Sequence, residues 1–99
     1  MEQIYNGNAN AGGIYKITNK INQKFYIGST TIFKRRYQDH LKSLRRGRHK
    51  NRYLQDDYNI FGENNFVFEV IEVVNSTRYK INSAENKWLL AYYDNQNMW

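Results

Sequence analysis

The chain has 99 residues, enough for one compact domain with one core and one site. A hydrophobic fraction of 40% and a charged fraction of 24% suit a folded soluble chain, and no apolar run approaches the roughly 18 residues that span a bilayer. The absence of cysteine excludes disulfides, thiolate metal sites and cysteine nucleophiles, and with no signal-peptide core after Met1 a cytoplasmic address is expected.

The first twelve residues, rich in Asn, Gly and Ala, show no periodicity and are expected to form a flexible tail, with the domain proper over 13–99. Ile14–Thr18 and Lys24–Gly28 are short runs of aromatic and β-branched residues joined by Asn19–Gln23, which predicts a β-hairpin with Phe25 and Ile27 on one face and Tyr26 on the other. Ser29, Thr30 and Thr31 are helix-capping residues. After them Phe33, Tyr37, Leu41 and Leu44 recur at helical spacing through Arg46, and Gly47 ends the helix. A second helix is expected over Tyr53–Phe61, closed by Gly62. Phe66–Val74 is apolar on both faces with two glutamates, as in a central strand. Asn82–Tyr93 carries Ile81, Ala84, Trp88 and Tyr92 on one stripe and reads as a helix. The order β-β-α-α-β-α predicts an α+β domain with a three-stranded antiparallel sheet flanked by helices.

The net charge of +6 is unevenly spread. Residues 1–52 hold twelve Lys or Arg against two acids, and residues 53–99 hold three against seven. Nine of the basic residues lie in Lys34–Arg52, where Asp39 is the one acid. Such a patch is the footprint of a phosphate-backbone binder, although a solvated helix face has the same composition.

Glu85 falls inside the apolar stripe of the last helix, between Ile81 and Trp88. A carboxylate there needs a cation or takes a raised pKa, and the alternatives are an arginine at the core edge or a divalent ion. Arg36 sits at the margin of its own helix's stripe, one turn before His40, so both project to one side. His40 alone reads as a boundary histidine, and His49, in the basic loop after Gly47, as solvent-exposed. Tyr15 and Tyr26 alone read as strand aromatics; a catalytic tyrosine, whose ordinary pKa is about 10, needs positive charge nearby. Zinc chemistry would want closer ligands than these two histidines. Asp56-Asp57 diverge on a helix, and Glu85-Asn86-Lys87 lies on a helix where a Glu-x-Lys nuclease motif would need a strand.

Gly13-Ile14-Tyr15 and Tyr26-Ile27-Gly28-Ser29, ten residues apart on a hairpin, are followed by Phe33–His40, Gly47-Arg48-His49, Phe61-Gly62 and Glu85-Asn86-Lys87-Trp88. In this combination the chain resembles the GIY-YIG endonuclease domain from Gly12 to about Tyr93, in tone closest to phage and intron homing nucleases, which implies a bacterial or phage-encoded protein. The resemblance implies metal-dependent hydrolysis of phosphodiester bonds in double-stranded DNA; a repair or restriction nuclease, or a DNA-binding module that has lost catalysis, are the alternatives. It makes Gly13 and Gly28 motif positions and puts Tyr15 and Tyr26 in the site, with Tyr15 favoured as general base and His40 as a relay. Arg36 would hold the scissile phosphate, Glu85 one Mg²⁺ or Mn²⁺ contacting the phosphate and the leaving 3′-oxygen, and His49 would lie near the substrate. Ser29, Lys34, Arg35, Arg45, Arg46, Arg48, Lys50 and Arg52 are the DNA-contact candidates, which position a duplex without reading it. A monomer is expected, with specificity supplied by a separate DNA-binding region or partner. The family's asparagine near the domain end has no clear counterpart; Asn95 or Asn97 would have to substitute.

Overall fold

In the computed structural model, which describes residues 1–75 and 77–99, the first strand comes before the hairpin. The elements are β1 (Glu2–Ile4), β2 (Gly13–Asn19), β3 (Phe25–Thr30), α1 (Phe33–Arg45), α2 (Arg52–Phe61), a short 3-10 turn (Glu63–Asn65), β4 (Phe66–Val73) and α3 (Arg78–Ala91). They build a four-stranded sheet in the order β1-β4-β2-β3. The β2–β3 and β2–β4 pairs are antiparallel, while β1 runs parallel to β4.

The expected three-stranded antiparallel sheet is therefore corrected to a mixed four-stranded one. β1 is three residues long and is made by long-range pairing of Glu2 with Val67 through Ile4 with Glu69, so no local period marks it. The first twelve residues, expected to be a flexible tail, are tied down in several ways. Tyr5 packs edge-on to Tyr37 and tilted against Phe68, and the Tyr37 hydroxyl donates to the Met1 carbonyl. The same segment also completes α1. Ile32 caps that helix without a side-chain bond, and the free amides of Phe33 and Lys34 donate to the carbonyls of Ala11 and Ala9. Thr30, expected to cap the helix directly, instead closes a turn onto Ile32.

The hairpin faces are as the alternation predicts. Ile14, Phe25 and Ile27 join Ile81 under α3, whereas Tyr15 and Ile17 face the other way with Phe33, Tyr37, Leu44, Leu54 and Phe68. Tyr26 packs at the edge of that second group. β4 is interior, as its two-sided apolar pattern requires. Its pairing with β2 slips between Ile14 and Tyr15, and Gly13 sits at that irregularity with φ of 147°. A methyl at Gly13 would run into the Glu72 carbonyl oxygen, so both the conformation and the space demand glycine.

Phe68 stands at the centre of the tyrosine-bearing layer, stacked on Tyr15 with ring centroids 4.7 Å apart and touching Tyr5 and Tyr37 edgewise or tilted. Phe68→Ala is expected to cost about 3–5 kcal/mol in urea denaturation, because a fully buried ring leaves a cavity among other rigid rings. A loss below about 1 kcal/mol would show that this layer can collapse.

Candidate active site

Tyr15 reaches the site because β2 aims it into the face of the sheet covered by α1. It is fully buried. Its hydroxyl lies 2.5 Å from His40 Nε2 and accepts a hydrogen bond of 3.2 Å from Arg36 Nε. Arg36 and His40 are one turn apart on α1, so the spacing read from the sequence delivers both to one oxygen. Gly28 on β3 is directly opposite Tyr15, and a methyl there would collide with the phenol oxygen and ring. The second motif glycine thus makes room for the tyrosine of the first.

Burial pushes the Tyr15 phenol well above its ordinary range, with the neighbouring Tyr26 adding to the effect and Arg36 opposing it. His40, 2% exposed, is pushed down to about 3, mainly by burial and then by Arg36 and His49. His49 is not the exposed loop residue expected. It is half-buried, its ring within 18° of the plane of the His40 ring and 4.9 Å from it between centroids, and its Nε2 lies 2.6 Å from His40 Nδ1. Burial lowers its pKa as well.

Tyr26, Arg36, Asp39, His40, Ser43, Arg48, His49 and Lys50 line one cleft. Tyr15 lies beneath it, held by two of the lining residues. Arg48 and Lys50 add positive charge to the rim, and the one acid in the wall is Asp39. Glu85 is not among the residues lining this cleft, although its charge is felt by Tyr15. It is half-buried on α3, and its Oε1 accepts a 3.0 Å hydrogen bond from Ser29 Oγ. The arginine considered for it is present only indirectly, since Arg78 donates to Ser29 Oγ rather than to the carboxylate. Among the described residues Glu85 Oε2 has no hydrogen-bond donor and no ion-pair partner.

The fold divides the basic patch. Arg36, Arg48 and Lys50 belong to the cleft, and Lys34 and Arg35 are exposed on the first turn of α1. Arg45, exposed, is paired with Glu63, which accepts two bonds of 2.8 and 3.0 Å. Arg46 faces a separate groove with Gln38, Leu41 and Lys42. Arg52 is highly exposed and only loosely approached by Asp56 at 3.9 Å. Arg78, Asn51 and Gln55 also serve the site and escaped sequence reasoning. Arg78 alone carried a signal, two turns before Glu85 on the same helix face. At the other end of the domain, Asn95 closes a turn by accepting from the Asn97 amide, and Asn97 offers its carbonyl to Phe25.

Two tyrosines on a hairpin, an arginine and two histidines beside them, and a glutamate on the last helix form one compact polar site. Residues 11–97 match the family described as the GIY-YIG catalytic domain. The chain belongs to that family. It is 36% identical over 77 residues to intron-associated endonuclease 1 of Enterobacteria phage T4, a match covering 78% of this chain and 31% of that protein. The chain therefore spans about a third of that relative's length. The solved catalytic domain of the homing endonuclease I-TevI superposes with a TM-score of 0.79 at 32% identity, covering 88% of this chain and 94% of that one. A variant of the same domain with a glutamate changed to alanine matches equally well, at 0.79 and 32%, over 89% and 90% of the two chains.

Gly28→Ala tests the close approach at the centre of the site. The added methyl should cost about 1–3 kcal/mol in thermal or urea unfolding and displace the Tyr15 hydroxyl, shifting the ring signals of His40. Stability and His40 signals equal to those of the parent would contradict the packing described.

Proposed function

We propose that this domain is a divalent-metal-dependent DNA endonuclease of the homing type, hydrolysing one phosphodiester bond at a time in a duplex. The observation that carries the reading is the convergence of Tyr15, Tyr26, Arg36, His40 and His49 on one cationic cleft, with Glu85 presented nearby on a separate helix. Membership of the family supports it.

Each group has a task that its surroundings suit. Arg36 keeps Nε on Tyr15 and lines the cleft, where the rest of its guanidinium can meet a phosphate oxygen and stabilise charge developing on it. Arg48 and Lys50 contact the flanking backbone, and Lys34 and Arg35 extend that track. Tyr15 is the general base. A base must be a phenolate, and the Arg36 charge and its N–H donated to the phenol oxygen favour the ionised form against burial. Tyr26, in the cleft wall, orders the attacking water.

The donor set fits a hard cation. Glu85 offers one carboxylate steadied by Ser29, with one oxygen free of donors among the described residues, and Mg²⁺ or Mn²⁺ bound to one carboxylate keeps most of its waters. Among the described residues no group of three or more His, Cys, Asp or Glu side chains forms a closed metal cage. When bound, the ion would act as a Lewis acid towards the phosphate. Glu85 would hold it, Ser29 would orient Glu85, and Arg78 would orient Ser29. The basic side chains of the cleft suit phosphates rather than base edges, and target recognition would belong to a separate DNA-binding region or partner.

Glu85→Ala is expected to abolish Mg²⁺-dependent conversion of supercoiled plasmid while affinity for duplex DNA changes less than about threefold, because phosphate contacts dominate that affinity. Cleavage that survives the substitution or persists in chelator would overturn the assignment; DNA binding by the parent with no cleavage in Mg²⁺ or Mn²⁺ would point to a module without catalysis. The raised Tyr15 pKa fixes the sign of the pH dependence. The reactive form is deprotonated, so single-turnover cleavage should rise about tenfold per pH unit from neutrality upward, without levelling before about pH 9. A plateau beginning near pH 6.5, the ordinary histidine range, would instead assign the base to an imidazole.

A further inference from the structure

The two histidines and Tyr15 form a hydrogen-bonded chain whose direction is fixed from outside the site. The backbone amide of Asn51 donates to His49 Nδ1 at 3.0 Å. A backbone N–H can only donate, so that nitrogen must present its lone pair. A neutral His49 then carries its proton on Nε2, which lies 2.6 Å from His40 Nδ1 and makes that atom an acceptor. His40 in turn carries its proton on Nε2 and donates to Tyr15 Oη at 2.5 Å. No other arrangement satisfies every contact. The reverse tautomers would set a His49 N–H against the Asn51 N–H. A charged His40 would set two N–H groups face to face between the rings.

The anchor is itself braced. Asn51 caps α2, its side chain accepting from the Leu54 amide, and buried Gln55 accepts from the His49 amide while donating to the Leu44 carbonyl. The carbonyl end of α1 and the start of α2 are thereby tied to the same residue, Gln55 holding the His49 backbone and the Asn51 amide its ring. Other charged or titratable groups facing the pair are Arg36 and Asp39 from α1, Tyr26 from β3, and Arg48 and Lys50 from the connecting loop.

We propose that the Asn51 backbone amide sets the polarity of this chain, so that His40 serves Tyr15 as a hydrogen-bond donor and not as the base that receives its proton. His49 and Asn51 are positioning residues. Tyr15 Oη accepts from both His40 and Arg36, and its own proton points away from them, towards the cleft. Loss of that proton goes outward to solvent, because the inward path already has a hydrogen on every link. The relay role expected for His40 is replaced by support of the phenolate. This catalytic consequence rests on the nuclease reading above; the tautomers do not.

Long-range ¹H–¹⁵N spectra of the ¹⁵N-labelled intact chain read the tautomers without activity. Both rings should show a protonated Nε2 and a bare Nδ1, unchanged between about pH 7.5 and about pH 5. A proton on Nδ1 of either ring, or titration of either ring near its ordinary value, would overturn the proposal whether or not the protein cleaves DNA. Two substitutions then separate polarity from mere occupancy. His49→Gln retains a donor towards His40 and should keep the His40 tautomer and cleavage within about tenfold of the parent. His49→Glu offers only an acceptor, should move the His40 proton to Nδ1, and should lower kcat at least about hundredfold with KM little changed. Equal losses in the two variants, with the His40 tautomer unmoved, would also contradict it.

Discussion

A single phenol oxygen, buried beneath a basic cleft and met by N–H groups from two side chains of α1, sets the geometry of everything around it. Tyr15 can be there only because Gly28 leaves no side chain opposite it and because Phe68 stacks against its ring. Arg36 and His40 can both reach it because they are one helical turn apart, and α1 is placed by Phe33, Tyr37 and Leu44 packing on the sheet. Shift any one of these and the hydroxyl loses either its room or its partners.

Burial and positive charge act against each other here. Burial opposes ionisation of Tyr15 and also keeps His40 neutral, while Arg36 favours the phenolate and further disfavours a histidine cation. The same guanidinium thus tunes two groups in directions that suit one reaction, in which a tyrosine ionises and an imidazole does not. Glu85 adds a smaller negative field that raises the Tyr15 phenol further, but it makes no hydrogen bond to Tyr15, Arg36 or His40 among the described residues. Its contact is with Ser29 on β3, so the carboxylate and the basic cleft do not neutralise one another. The separation leaves each with its charge available to a phosphate or a cation.

Much of this was legible in the residues. Alternation in the hairpin gave the faces of Tyr26 and Ile27, helical spacing paired Arg36 with His40, and a carboxylate interrupting the stripe of the last helix singled out Glu85. What escaped was non-local. β1 exists through pairing with a strand more than sixty positions away, and the amides at the start of α1 are satisfied by carbonyls of Ala9 and Ala11. Arg45 counts as basic in the sequence but is occupied by Glu63, eighteen residues on. α3 begins at Arg78 rather than Asn82, because Arg78, Tyr79 and Lys80, ahead of Ile81, are exposed and add nothing to the apolar stripe; Thr77 caps it. His49 reads as exposed because nothing in a basic loop foretells a hydrogen bond to a buried imidazole.

The central claim is that the scissile phosphate sits between Arg36 and the hairpin tyrosines with its metal on Glu85. A crystal structure of the domain with duplex DNA and Ca²⁺ in place of the catalytic ion tests it most directly. The account predicts Ca²⁺ on Glu85 and a backbone phosphate oxygen within hydrogen-bond reach of Arg36, with the Tyr15 hydroxyl facing the same phosphate. A duplex lying along Lys34, Arg35 and Arg46 with the cleft empty, or a cation held away from Glu85, would contradict it.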